Sequence, residues 1–341
     1  MKKERVFITR VIPDDGLKIV NEFCHMEVSD YDGVLPRQVL LDKVKGIDGL
    51  LSLLTDTIDR EVMETAGLQL QVISNYAVGF NNIDVAEATK RGILVTNTPG
   101  VLTETTADLA WSLLMSSARR IVEGDKFLRA GRFRGWEPML LLGTDVHGST
   151  LGLIGFGRIG QSMARRAKGF NMKVIYYDRE RVSQRLEEEI KVSYCHLYDL
   201  LQESDFVSIH VPLTEETFHL IGEKELKMMK KESYLINTAR GPIVDEKALA
   251  KALRQKWIRG AALDVFENEP AVEPELLDLD NVVIVPHIGS ASYQTRTKMA
   301  IIAAQNLVST LKGERPAYLV NPEALGVWEM VHSEKMMKEP G

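Results

Sequence analysis

The 341-residue chain is 45% hydrophobic and 26% charged, which is enough apolar material for more than one compact core and so for two domains. Its formal charge of -6 and pI near 5.8 argue against nucleic acid as a partner, because a polyanion needs a basic face that displaces its counterions. No signal-peptide stretch opens the chain, no run of about 18 apolar residues follows, and Cys24 and Cys195 lack metal-ligand spacing; a cytoplasmic protein with no membrane partner and no metal is expected.

The first hundred residues alternate β-type runs at 6–9, 50–54, 72–74 and 93–95 with helical patterns near 15–24, 36–45, 59–66 and 84–90. That order reads as a parallel α/β sheet. A longer helix is expected after Gly100, capped by Thr103 or Glu104 and running to about Glu123. The segment 130–144, rich in Arg, Gly and Trp, has no period that would bury its large apolar residues in its own domain; a partner surface would explain them. A second α/β series starts at 150, with strands expected at 151–155, 174–178, 206–211, 234–238, 261–265 and 282–286. Six parallel strands make a full dinucleotide fold. A helix over 292–311 leads to Tyr318-Leu319-Val320, and the polar tail 331–341 is expected to fray.

Gly155-Phe156-Gly157-Arg158-Ile159-Gly160 lies between an apolar strand and a helical pattern at 161–168. Gly155 permits the tight turn, Gly157 the approach of a pyrophosphate and Gly160 close helix–strand packing, while the helix N-terminus offers N–H donors. Asp178 ends the next strand 18 residues after Gly160. It is placed to accept hydrogen bonds from both ribose hydroxyls and to repel a 2′-phosphate, which favours NAD over NADP; Arg179 and Arg181 soften that preference.

Three further strand ends carry ionisable groups: Asn237-Thr238-Ala239-Arg240-Gly241, Asp264-Val265-Phe266-Glu267-Asn268-Glu269-Pro270 and Pro286-His287-Ile288-Gly289-Ser290. In a doubly wound sheet such ends open on one crevice. An arginine to hold a carboxylate and polarise a ketone, and a histidine to deliver a proton as hydride reaches carbon, suit reduction of a 2-keto acid.

These segments, with Ser74-Asn75-Tyr76-Ala77-Val78-Gly79-Phe80-Asn81-Asn82-Ile83-Asp84, resemble the D-isomer-specific 2-hydroxyacid dehydrogenase family, closest to glyoxylate/hydroxypyruvate reductases, over residues 5–322. The resemblance implies a Rossmann domain, a doubly wound parallel sheet over 99–287, and a smaller flavodoxin-like α/β substrate domain over 1–98 and 288–325, with a tail at 326–341 and the active site in the cleft between the domains. It gives Arg240 the role of substrate-binding arginine, Glu269 that of acid partner and His287 that of proton donor and acceptor. A carboxylate beside an imidazole favours the imidazolium and fixes its orientation. Glu267, two residues away, reads as a solvated neighbour.

The resemblance also implies cofactor contacts from Thr106 near the phosphates, Val211-Pro212 under the adenosine, Thr217, Thr238, Ala239, Asp264 near the nicotinamide amide, and Gly289. Leu53 and the main-chain N–H groups of Val78 and Gly79 are implied in substrate binding. It further implies that 130–144 is an arm embracing a second subunit, with Trp136 near the partner's substrate site, and so a homodimer. Rival members remain open: a formate dehydrogenase would carry glutamine in place of Glu269, a 3-phosphoglycerate dehydrogenase usually carries a regulatory extension, and a phosphite dehydrogenase is not separated by motifs alone. A co-repressor of the C-terminal-binding-protein type, which senses NAD and binds peptides, is the alternative from another class.

Overall fold

The computed structural model describes residues 3–330; the expected fraying at 331–341 lies outside them. The chain forms two compact units, one running up to Val101 and resuming at Ala291, the other contiguous over Leu102–Ser290.

The first unit strings together β1 (Arg5–Ile8), α1 (Asp14–Phe23), β2 (His25–Val28), α2 (Arg37–Lys43), β3 (Gly49–Ser52), α3 (Arg60–Ala66), β4 (Val72–Asn75), α4 (Val85–Lys90) and β5 (Leu94–Thr96). Its strands are all parallel in the order β2-β1-β3-β4-β5, the flavodoxin-like pattern. β2 did not show in the apolar pattern, because its His-Met-Glu-Val sequence alternates exposed with half-buried positions at the sheet edge. Phe7, Leu50 and Ile73 of β1, β3 and β4 meet Val62 and Met63 of α3 in one core. Asp59 starts α3 and Asp84 starts α4 by accepting first-turn N–H groups.

The second unit continues with α5 (Thr103–Ala118), α6 (Ile121–Arg129), β6 (Thr150–Ile154), α7 (Arg158–Lys168), β7 (Lys173–Tyr177), α8 (Gln184–Ile190), β8 (Ser193–Tyr194), α9 (Leu197–Glu203), β9 (Phe206–Ile209), α10 (Glu223–Met228), β10 (Tyr234–Asn237), α11 (Glu246–Arg254), β11 (Gly260–Leu263), α12 (Pro274–Leu277) and β12 (Val282–Ile284). The parallel order is β12-β11-β10-β9-β6-β7-β8, seven strands where six were expected. The extra one, β8, has only two residues. Successive residues serve opposite faces: Leu235 packs with α9 and α11, whereas Tyr234 and Ile236 pack with α5 and α7.

Two expectations about α5 fail. Neither Thr103 nor Glu104 caps it, since the Glu104 carboxylate instead accepts from Ser162 Oγ at 2.6 Å and from Arg166 at 2.9 Å. Nor does it run to Glu123: Arg120 turns left-handed, the Ala118 carbonyl takes the Thr144 N–H, and α6 starts afresh.

Back in the first unit, Ser292 caps α13 (Tyr293–Leu311), which packs on α1 so closely that a Cβ at Gly16 would sit 2.8 Å from Ala300 Cβ. Leu319 then bridges Thr96 antiparallel to β5. Residues after 325 are not a separate tail from their start, because Trp328 is buried against Leu94 and Ala324.

Candidate functional site

Strand order reverses between β6 and β9, where a doubly wound sheet opens its ligand crevice. Gly155 follows β6 with φ +95°, and a Cβ there would lie 2.7 Å from the His210 carbonyl carbon. Gly160 approaches the Gly155 carbonyl too closely for any side chain. Gly157, by contrast, N-caps α7 without a side-chain cap, and a Cβ on it would touch nothing within 4 Å. The first turn of α7 thus presents N–H donors and a positive helix end to an anion. Thr238, just after β10, keeps a buried hydroxyl that has no hydrogen-bond partner among the described residues. An uncapped helix start and an orphaned hydroxyl fit a dinucleotide.

Phe156 and Ile159, also predicted cofactor residues, serve the cradle rather than face outward. The Phe156 ring stacks on Tyr176 at 4.2 Å in the core, and its N–H donates to Asp178 Oδ2 at 2.7 Å, so Phe156 shapes the turn. Ile159 packs on the same core, while Arg158 is exposed. Asp178 Oδ1 accepts the Arg179 N–H at 2.7 Å, and each carboxylate oxygen retains a lone pair for a further donor. Arg181 is paired with Glu187 at 2.7 Å. Arg179 is exposed and in no ion pair among the described residues. Thr217 donates to the Pro212 carbonyl at 2.7 Å and accepts the Thr214 N–H at 2.7 Å, bracing the loop after β9, where Val211 packs on the core.

After β10, Asn237 shapes the next turn: Oδ1 accepts the Ala239 N–H at 3.0 Å and Nδ2 donates to the Arg240 carbonyl at 2.9 Å. Arg240 donates from Nη1 to the Ala239 carbonyl at 2.7 Å, and burial lowers its pKa despite the opposing charge of Glu269. After β11, the fully buried Asp264 accepts the N–H groups of Ile288 and Gly289 at 2.6 and 2.8 Å. Burial drives its carboxyl up to about 6, against those bonds and the nearby His287. Thr106 donates to the Gly289 carbonyl at 3.1 Å, so Thr106, Asp264 and Gly289 interlock behind the histidine.

His287 has left-handed backbone, φ +52°, an uncommon state for a non-glycine residue and one that its neighbours must hold. Its Nδ1 meets Glu269 Oε2 at 2.7 Å, and Glu269 Oε1 accepts the Phe266 N–H at 3.0 Å. Burial opposes ionisation of Glu269, but the hydrogen bond and charge of His287, the Phe266 N–H and Arg240 outweigh it, holding the carboxyl below its ordinary range. Glu267 is not a solvated neighbour: it reaches His219 Nε2 at 3.2 Å and accepts the Glu246 N–H at 2.8 Å, partners that lie 48 and 21 residues away in the chain.

Leu53, Val78 and Gly79 lie in the first unit. Asn97 donates to the Val78 carbonyl at 2.8 Å and Asn75 to the Gly79 carbonyl at 2.9 Å, while among the described residues no acceptor meets either N–H. Asn82 donates to the Leu53 and Asp56 carbonyls at 3.0 Å each, and Asp56 accepts the Leu53 N–H at 2.7 Å. Asn75, Asn82, Asp56 and Asn237 were not singled out in the sequence. The signal available was an amide or carboxylate closing an apolar strand run or sitting in a turn.

Known proteins share much of this chain's sequence and fold. The D-isomer specific 2-hydroxyacid dehydrogenase, NAD binding domain, matches residues 111–289. A Thermococcus litoralis protein named glyoxylate reductase is 54% identical over 327 residues, 95% of this chain and 98% of its own. One of the same name from Pyrococcus horikoshii is 52% identical over 95% of this chain and 98% of its own. Among solved structures, an NADPH-dependent glyoxylate/hydroxypyruvate reductase from Sinorhizobium meliloti, in complex with NADP and malonate, aligns with TM-score 0.82 and 32% identity over 95% of this chain and 98% of that one. With identity above half across nearly the whole length, this chain belongs to the D-isomer specific 2-hydroxyacid dehydrogenase family.

Proposed function

We propose that this protein reduces a small 2-keto acid, glyoxylate or hydroxypyruvate, to the D-2-hydroxy acid with NADH, and accepts NADPH less well. The observation that carries the reading is the 2.7 Å His287–Glu269 contact beside Arg240 at the strand ends of a dinucleotide-binding sheet. The names of the relatives support the substrate class. Bound NADH supplies the hydride. The Arg240 guanidinium grips the substrate carboxylate and polarises the ketone. His287 gives its proton to the carbonyl oxygen as C2 accepts the hydride, and Glu269 stays ionised to hold the imidazolium in place. Gly157, Arg158, Asp178 and Thr238 hold the cofactor, with Asp264 and Gly289 beside them.

The protein works as a homodimer. Trp136 is 84% and Met139 76% exposed, with Phe133 and Leu142 also exposed on the same segment, an apolar arm that its own chain does not cover. In the dimer, Trp136 stands near the partner's substrate and limits bulk beyond the keto carbon.

The test is steady-state oxidation of NADH and NADPH with glyoxylate, hydroxypyruvate, pyruvate and phenylpyruvate. The highest kcat/KM falls on glyoxylate or hydroxypyruvate with NADH. Absence of turnover with the whole panel would reject the assignment and leave an NAD-sensing binding protein.

A further inference from the structure

Glu246 is the first residue of α11 and is buried, yet it is no part of the acid–base pair. Its carboxylate holds both ends of the loop that carries Glu269: Oε1 accepts the Glu267 N–H at 2.6 Å and Oε2 the Glu273 N–H at 3.2 Å. The favour is returned, since Glu267 Oε1 accepts the Glu246 N–H at 2.8 Å, a first-turn donor of α11 that has no partner within its own helix. The other oxygen of Glu267 reaches His219 Nε2 at 3.2 Å. At the same place the backbones nearly touch: a Cβ on Gly241 would lie 1.9 Å from the Phe266 carbonyl carbon. Arg240 directly precedes that glycine and Phe266 donates to Glu269, so the loops bearing Arg240 and Glu269 are fastened to each other by paired carboxylate–amide bonds and by contact that tolerates no side chain.

We propose that Glu246 and Glu267 are positioning residues for the reduction, a reciprocal clamp that fixes the carboxylate of Glu269 against His287 and keeps Arg240 in register with both. The clamp rests on the reading of Glu269 as His287's partner. It explains why a buried carboxylate is retained on α11: burial and the charges of Glu267 and Glu273 push Glu246 toward protonation, with only the two amide bonds opposing them. A group held against such opposition at the root of a catalytic loop supplies geometry, and small displacements of a proton donor are felt in rate rather than in cofactor binding.

A double-mutant cycle tests this. Glu246→Gln keeps the shape but leaves one oxygen to serve two amides. Wild type, Glu246→Gln, Glu269→Gln and the double variant are compared for kcat/KM with glyoxylate and NADH across pH, for NADH binding by fluorescence, and for thermal unfolding. The expected result is a loss of about 10- to 100-fold from Glu246→Gln in the wild-type background, with unchanged NADH affinity and a pH profile displaced toward that of Glu269→Gln. In the Glu269→Gln background the same change costs no more than about twofold. Equal losses in both backgrounds, or a wild-type pH profile with only the folded fraction reduced, would overturn the clamp. Wild-type kinetics in Glu269→Gln alone would overturn the underlying reading and the clamp with it. If Glu246→Gln does not fold, Glu267→Ala takes its place in the cycle with the same expectations.

Discussion

His287 Nδ1 and Glu269 Oε2 stand 2.7 Å apart, each side chain about a quarter exposed at 26%. The pair is therefore shielded from solvent enough to interact strongly and open enough to exchange protons. Because Glu269 is held below its ordinary range, it stays ionised to lower pH than a free glutamate does.

Removing the proton donor with His287→Asn should lower the rate of keto-acid reduction by about 10²- to 10⁴-fold, while NADH still binds. Glu269→Gln should move the high-pH limb of kcat/KM to lower pH, because the positive form of the pair loses its counter-charge. A Glu269→Gln profile that superimposes on wild type would remove the glutamate from the mechanism.

Asp178 lies between the Phe156 and Arg179 amides with lone pairs to spare, and its charge discriminates between cofactors. Asp178→Ala should weaken NADH use and narrow the gap to NADPH, each tenfold change in preference being worth about 1.4 kcal/mol. Unchanged ratios of kcat/KM for the two cofactors would contradict this role.

Arg240→Lys retains the charge and forfeits the planar two-point grip. Loss of one charge-assisted hydrogen bond is worth about 1.5–3 kcal/mol, so kcat/KM for glyoxylate should fall by about 10- to 100-fold. Near wild-type turnover by the lysine variant would rule out a bidentate carboxylate contact.

Light scattering should report a dimer for the wild-type protein, and Trp136→Ala should raise activity on phenylpyruvate relative to glyoxylate. A monomeric mass with full activity defeats the interface, whatever the alanine variant does.

Although part of His210 reaches the surface, burial of its ring pushes the pKa down to about 3. The unfolded chain binds a proton near pH 6.5, so the neutral native ring contributes stability above that value which is lost progressively as pH falls toward 3. His210→Gln should show a shallower decline in unfolding free energy between about pH 6.5 and about pH 3, the span of the two pKa values, measured by urea titration. Parallel declines for variant and wild type would show that His210 is protonated in the native state.

Residues 155–160 were readable because every glycine there answers a separate backbone demand, visible as spacing between a strand and a helix. Arg240, Glu269 and His287 were legible as a set for a similar reason, each closing or following an apolar run. Glu267 was misread because nothing local distinguishes a solvated glutamate from one whose carboxylate is claimed by an amide 21 residues away in Glu246. The same blindness hid Glu246 itself, and it gave Glu104 a cap it does not form, since Ser162 and Arg166 offered stronger partners. β2 and β8 escaped because short strands on the sheet edges have few buried positions with which to announce a period of two.

The interleaved order of the two units has a consequence for biosynthesis. Residues of the second unit follow one another without interruption, so its seven-stranded sheet has every strand it needs once β12 has left the ribosome. The unit begun first must wait: α1 lies against α13, and β5 is bordered by residues near 319, all made last. Nascent chains stalled before α13 should therefore carry a protease-resistant second unit while the first is still open, and of the two units the one translated earlier is the last to be sealed.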